Sequence, residues 1–483
     1  MIQELLFYAS QLIASLHLPI AILASIHVVL HKEDERAAIG WAGLIWLSPL
    51  LGASLYWFFG VNRIRRRART LREAQPEVHV ATDEATATDA QRDVAFGEEP
   101  VNLRPLANLI GNITDRPLLQ GNAIDPLSTG DMAYPAMIDA ITTAQRSVAL
   151  SSYIFDNDDA GKMFRTALAD AVKRGVEVRV LIDDVGSRYT WPPVLRSLRR
   201  AGITTARFMP SLIPWKFAYA NLRNHRKLLV IDGEIGFTGG MNIRVGNMLA
   251  TNPRSPIHDL HFRLRGPVVA HLEETFAEDW AFATGEVLDG PAWTTTITPV
   301  GSGLARGIAD GPDEDFDNLR MTLMGALAAA RKRVVVVSPY FLPDDAVMTS
   351  LALAARRGVQ VQVILPRTSN LRLVQWASMA IWPRIVANAC ELWLTPPPFD
   401  HSKLMLVDDR WTLLGSANWD ARSLRLNFEF NVEYYDTGLA AQLNTIIDEK
   451  LRNAERVTAE QLASRRVIWK IRDGIARLAS PYL

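Results

Sequence analysis

Cysteine is almost missing from this chain. Cys390 is the only one in 483 residues, which excludes an internal disulfide and fits a reducing compartment. Net charge is missing too, because 52 basic residues face 52 acidic ones. The sequence therefore builds no strong basic field of the kind that holds nucleic acid, and no nucleic-acid partner is expected. The length leaves room for two or three domains.

Long apolar runs are present, and both lie at the N-terminus. Leu5 to Leu30 is almost uninterrupted, a charged stretch (His31 to Arg36) follows, and Ala37 to Gly60 is apolar again, with Trp41, Trp46, Tyr56 and Trp57. A bilayer crossing needs about 20 apolar residues, so each run is expected to cross, over about 5–30 and 37–60. The first run lacks the basic start of a secretory signal. Arg63, Arg65, Arg66, Arg67 and Arg69 follow and place that end in the cytoplasm by the positive-inside rule. The expected unit is a two-helix hairpin with both ends inside, residues 1–69 with the basic flank. Glu73 to Pro100 carries eight acidic residues against one basic, Arg92, so residues 70–100 read as a flexible acidic linker.

Beyond it the chain repeats itself. Asn224 to Asn242 reads NHRKLLVIDGEIGFTGGMN, and Asp400 to Asn418 reads DHSKLMLVDDRWTLLGSAN. Each copy has a His, a Lys two residues on and an Asp seven residues on: His225, Lys227 and Asp232, then His401, Lys403 and Asp408. Small residues follow (Gly239-Gly240 and Gly415-Ser416), then Asn242 and Asn418, each seventeen residues past its His. The apolar runs Leu228–Ile231 and Leu404–Val407 have the length of buried strands. Side chains two apart on a strand share a face, so each copy presents an imidazole beside an ammonium. Lys for charge, Asn for orientation and close-approaching backbone N–H groups suit an anionic phosphoryl oxygen. Two histidines are what a two-step displacement at phosphorus requires: one attacks, the other protonates the leaving alkoxide and then deprotonates the incoming alcohol. No metal or other cofactor is required.

The paired motif resembles the phospholipase D superfamily. Asn221 to Gly233, His401 to Asp409 and Gly415 to Glu429 are similar to the bacterial cardiolipin synthases, and the similarity runs through almost the whole chain. The resemblance implies an α/β fold of two phospholipase D-like repeats, related by a pseudo-two-fold axis and sharing one site, placed at 101–300 and 301–483. The repeat is visible outside the motif as well: Val148 to Phe155 and Arg174 to Asp184 are answered by Val334 to Phe341 and Arg357 to Pro366. It implies that Asp259 and Glu429, each opening a later strand, hold the imidazoles, and that His225 attacks while His401 is the acid and base. Asn242, Asn418, Ser416 and Gly240 join the phosphate-orienting set. Asp232 and Asp408 stand among the catalytic candidates, with a local role at the strand end as the rival.

The implied activity is a cardiolipin synthase, joining two phosphatidylglycerol molecules into cardiolipin and glycerol through a phospho-histidine, in a multi-pass protein of the bacterial inner membrane with its catalytic part in the cytoplasm. The alternatives are a phospholipase D releasing phosphatidic acid, and a phosphatidyltransferase using another alcohol. Arg244, Val245, Gly246 and His258 depart from the family pattern and bear on the acceptor. Three further stretches have two readings each. Phe208 to Tyr219 is core or a membrane-dipping loop, Leu371 to Cys390 reads as core helix, and Arg465 to Leu483 is a solvated terminal helix or an amphipathic one lying on an anionic leaflet.

Overall fold

The computed structural model describes residues 2–32, 35–60, 82, 85–96, 103–209, 222–295, 297–312, 315 and 317–480. It divides into two compact units, with residues 1–70 in the first.

In the first unit the helix Ile2–His31 is followed by the helices Glu35–Leu47 and Pro49–Leu55 and a π-helical turn, Tyr56–Gly60. Ala21, Val28, Ile45 and Tyr56 form a small core, and His27 Nδ1 lies 2.9 Å from the Tyr56 hydroxyl. Leu23, Val29, Leu30, Ile39 and Leu47 are exposed. The second apolar run is not one helix, because a residue before proline is driven out of the α region and Ser48, ahead of Pro49, has φ −150° and ψ 83°. Among the described residues no helix is long and apolar enough to cross a membrane, and the crossings expected over about 5–30 and 37–60 are not confirmed. The arginine flank lies outside the described residues.

The acidic stretch is not structureless throughout. Asp89–Phe96 is a helix, Thr86 bridges to Leu119, and Phe96 is buried with its ring 5.0 Å from that of Tyr435. One aromatic residue among many acidic ones supplies the apolar contact that docks the segment.

The rest is mixed α/β, built on a 16-stranded sheet. Its main strands in the first half are β1 (Leu119–Ser128), β2 (Ser147–Ser152), β3 (Glu177–Asp183), β4 (Thr204–Phe208), β5 (Leu228–Ile231), β6 (Ile235–Gly239) and β7 (Leu260–Arg265). Those of the second half are β8 (Gly303–Asp310), β9 (Arg333–Val337), β10 (Gln360–Pro366), β11 (Glu391–Thr395), β12 (Leu404–Val407), β13 (Trp411–Gly415) and β14 (Asn427–Tyr435). From the junction outward the first half runs β1-β7-β6-β5-β2-β3-β4 and the second β8-β14-β13-β12-β9-β10-β11, strand answering strand. The antiparallel pair β1·β8 joins them.

Within each half, β2·β3·β4 and β9·β10·β11 pair in parallel through helical crossovers. The crossover helices Asp159–Lys173 and Asp345–Arg356 are capped alike, Asp158 accepting from Gly161 N and Asp344 from Ala346 N and Val347 N. β2, β5, β9 and β12 lie at the centre of this layering with helices nearby, so their apolar runs are buried almost throughout.

Of Phe208 to Tyr219, only Phe208 and Met209 are described. Phe208 is buried against Phe282 and Phe428, and the rest of that reading lies outside the described residues. Leu371 to Cys390 forms two short helices, Arg372–Met379 and Trp382–Ala387. Val374, Ala377, Trp382 and Ile385 are core, but Leu371 and Leu373 are exposed.

Candidate active site

The histidines stand just ahead of β5 and β12, and each is fixed by the opposite half of the sheet. The His225 backbone N–H donates to Phe428 O at 2.9 Å, and that of His401 to His258 O at 2.7 Å. The next residue in each case supplies the carboxylate. His225 Nδ1 is 3.0 Å from both oxygens of Glu429, and His401 Nδ1 is 2.8 Å from Asp259 Oδ2. Backbone and ring are therefore gripped by consecutive residues of the other half. A ring that gives its Nδ1 proton to a carboxylate keeps its lone pair on Nε2.

The carboxylates are held differently. Glu429 is fully buried, accepts from Ser416 Oγ at 2.5 Å and from Asn427 Nδ2 at 3.0 Å. Asp259 is one methylene shorter, and where the second half has Ser416 the first has Gly240. A Cβ on Gly240 would lie 2.4 Å from Asp259 Oδ1, so only glycine leaves room for that carboxylate.

The lysines complete the cluster. Lys403 Nζ lies 3.0 and 3.2 Å from the two ring nitrogens of His401 and donates to His401 O at 2.6 Å. Lys227 Nζ donates to His225 O at 2.5 Å and sits 5.7 Å from the centre of the Tyr153 ring. Burial pulls Lys227 down to about 7, with the Lys403 cation adding to it, and pulls Lys403 down to about 8 against the neighbouring carboxylates. Burial likewise lowers His225 and His401 to about 4, against the pull of Glu429 and Asp259 toward protonation; Lys403 acts on His225 and Lys227 on His401. Two motifs far apart in sequence thus share one electrostatic site, in which both imidazoles are neutral near pH 7.

Asp232 and Asp408 are not in it. A strand advances about 3.3 Å per residue, so the apolar run carries each Asp roughly 15 Å beyond its Lys. There Asp232 accepts from the N–H groups of Gln145, Arg146 and Ser147 at 2.8, 2.7 and 2.9 Å. Asp408 accepts from Arg331, Lys332 and Arg333 at 2.8, 2.7 and 2.8 Å. Both sit at positive φ, 52° and 51°, which Asp tolerates better than most side chains. The catalytic candidacy of these two residues is corrected: they tie the β5–β6 and β12–β13 turns to the starts of β2 and β9. Asp232→Ala is expected to cost roughly 2–3 kcal/mol, because three backbone N–H groups, two of them half-buried, lose a charged acceptor. Denaturant unfolding checks this, and the kcat of the folded fraction is expected to stay within about twofold of the parent.

Asn242 and Asn418 are both buried. Asn242 Oδ1 accepts from Ile154 N at 3.0 Å, leaving its amide N–H₂ as the free end. Asn418 Nδ2 donates to Ser423 Oγ at 3.2 Å, while its Oδ1 has no hydrogen-bond partner among the described residues.

Residues 137–280 and 323–451 match the family model described as cardiolipin synthase, phospholipase D-like domain. The chain belongs to this family. A second model, phospholipase D-nuclease N-terminal, matches residues 20–60. Cardiolipin synthase A of Pseudomonas aeruginosa is 32% identical over 95% of this chain and 94% of its own length. That of Pseudomonas putida is 32% identical over 99% of each. Among solved structures, the phosphatidylserine synthase of Haemophilus influenzae covers 78% of this chain and 100% of its own, with TM-score 0.59 and 14% identity, a likeness of fold.

Within this cardiolipin synthase family member, two kinds of supporting residue escaped the reading of the sequence. Tyr153 and Tyr340 stand edge-on to His225 and His401, with ring centres 5.1 and 6.1 Å apart; they follow β2 and β9, a recurrence available in the sequence. The second kind braces the motif strands from beneath with opposite polarity. In the first half Arg226, fully buried, pairs with Asp279 at 2.6 Å, and Asn224 donates to the same carboxylate. In the second, Asp400 pairs with Lys450 at 2.6 Å and Ser402 donates to Asp400. Burial alone would raise the Asp400 carboxyl, but Lys450 and His258 hold it well below the usual range. Nothing in local sequence joins these partners.

Proposed function

We propose that the protein is a cardiolipin synthase that transfers a phosphatidyl group from one phosphatidylglycerol to another through His225. The observation that carries this reading is the crosswise grip: two neutral imidazoles, each held at Nδ1 by a carboxylate of the other half, with a buried lysine beside each.

His225 Nε2 attacks phosphorus, and the bond from phosphorus to the glycerol oxygen breaks. His401, which takes up a proton on Nε2 when the anionic phosphodiester binds, gives that proton to the oxygen, and glycerol leaves. The hydroxyl of a second phosphatidylglycerol then loses its proton to His401 and attacks phosphorus, the P–N bond breaks, and cardiolipin is released with both histidines restored. One phosphodiester replaces another, so no nucleotide is consumed. Lys227, Lys403 and the Asn242 amide take the non-bridging oxygens. The anionic phosphodiester also offsets the cations that depress His401, which raises its hold on a proton in the complex. Burial of the pocket works against water, which at about 55 M would otherwise intercept the intermediate.

The repeats at 101–300 and 301–483 supply one histidine each, and the protein associates with the inner membrane through its N-terminal unit, whose exposed aliphatic residues support this. The arginines after Gly60 favour a cytoplasmic catalytic unit.

Labelled phosphatidylglycerol as sole lipid, followed by mass spectrometry, tests the reading. Cardiolipin with glycerol is expected. Phosphatidic acid instead would make water the acceptor, and turnover only after a second lipid is added would make the protein a mixed-donor transferase.

The lysines predict a pH dependence. They bind phosphate only when charged, so kcat/KM falls as pH rises through about 7 to 8, the values to which burial lowers Lys227 and Lys403. Lys227→Arg, whose guanidinium stays charged throughout, is expected to move the alkaline fall upward. An unchanged pH profile would remove Lys227 from phosphate binding.

A further inference from the structure

The C-terminal helix Val467–Leu478 docks with its polarity reversed. A terminal helix on a water-soluble surface buries its apolar stripe and turns the polar face outward. Here the residues facing the protein include Asp473 and Ala476, both buried. Asp473 takes Arg465 and, at 2.7 Å, Arg472; Arg472 lies between the Trp376 and Trp469 rings, at 4.6 and 4.7 Å from their centres. At 3.6 residues per turn, Val467, Ile468, Ile471, Ile475 and Leu478 fall within about 100° of arc on the opposite side. They are 53 to 81% exposed.

The charge on this helix is one-sided as well. Its single acidic residue, Asp473, is spent on two arginines, while Arg466, Lys470 and Arg477 are exposed. An aliphatic stripe beside exposed cations complements a surface that is apolar below and anionic at the top. The neighbouring helix Arg372–Met379 packs against the C-terminal one through Val374 and Ala377 and adds exposed Leu371 and Leu373.

This platform reaches the site. The Tyr340 hydroxyl donates to Asn370 Oδ1 at 2.6 Å, next to Leu371, and the same ring stands edge-on to His401. Tyr340 packs with Leu342, Val374, Ala377 and Ala476 in one cluster, so the face of the C-terminal helix is coupled through a single layer of side chains to the wall of the catalytic pocket.

We propose that the C-terminal helix and the Leu371–Leu373 corner form an interfacial platform that rests on an anionic bilayer and presents the His401 side of the pocket to lipid in that leaflet. The proposal rests on the reading that the substrate is a membrane phospholipid. Its first test does not use turnover. In the full chain carrying Cys390→Ala, Ile475→Cys is labelled with an environment-sensitive fluorophore, and Thr445→Cys, on another exposed helix face, serves as control. Reconstituted into bilayers of phosphatidylglycerol, the label at 475 is expected to shift to the blue and that at 445 to stay unshifted, with a smaller shift at 475 in pure phosphatidylcholine. No shift at 475, or equal shifts at both positions, overturns the platform whatever the enzyme makes.

The second test separates binding from chemistry. Ile471→Glu combined with Ile475→Glu, both on the outward face, is expected to raise the apparent KM for bilayer phosphatidylglycerol about tenfold or more. Turnover of a short-chain phosphatidylglycerol dissolved below its micelle concentration is expected to remain unchanged. Equal losses on both substrates would mean that the helix only supports the fold, and would overturn the proposal.

Discussion

A His225→Ala variant is expected to lose cardiolipin formation by about 10⁴-fold or more and to form no phosphatidyl-enzyme. The size follows from the role: without the imidazole there is no nucleophile, and no neighbouring side chain replaces it. His401→Ala is expected to fall as far on phosphatidylglycerol but to fail at a different step. With a phosphatidyl ester of p-nitrophenol, whose leaving group needs no proton, it should release one equivalent of nitrophenol and then stall. Breakdown of the intermediate still requires a base for the incoming hydroxyl. Rapid-quench measurement of that burst separates the two histidines. A burst in His225→Ala and none in His401→Ala would exchange their roles.

The second large effect is expected at the carboxylates. Glu429→Gln should lower kcat by about 10³–10⁴-fold, the scale set by neutralising the acid that orients a catalytic imidazole. Both Glu429 oxygens hold the ring, and its side chain is fully buried, so water cannot take over. Asp259→Asn should act on His401 in the same direction. A loss of less than about tenfold in both variants, with phosphatidylglycerol binding retained, would sink the idea that these carboxylates fix tautomer and orientation.

Much of this site was legible because it repeats. Spacing alone put His beside Lys, although both stand just ahead of the strand rather than on it, and the two strand–helix–strand runs gave the α/β class, because periodicities of two and of 3.6 are local properties of a chain. The crosswise partnership was not legible. His225 and Glu429 lie 204 residues apart, and nothing in their neighbourhoods says that the ring of one half meets the acid of the other. The motif aspartates misled for the opposite reason: a seven-residue pattern looks like one functional unit, yet a strand of that length separates its ends. At the N-terminus, hydropathy saw one span where Pro49 and the residue before it divide the run. In the acidic stretch, composition outweighed Phe96, whose single buried ring is enough to seat a helix.

The mutual grip of the halves also fixes when the chain becomes an enzyme during its synthesis. At about 5–20 residues per second, roughly 10–40 s separate the appearance of His225 from that of Glu429, 204 residues later. His401 arrives after its own acid, Asp259, but lacks a nucleophile to serve until β14 has been made. A nascent chain or fragment that ends before Glu429 therefore carries an unbraced His225 and no working site. The protein stays chemically silent on its own lipid until almost the last strand of the sheet is in place.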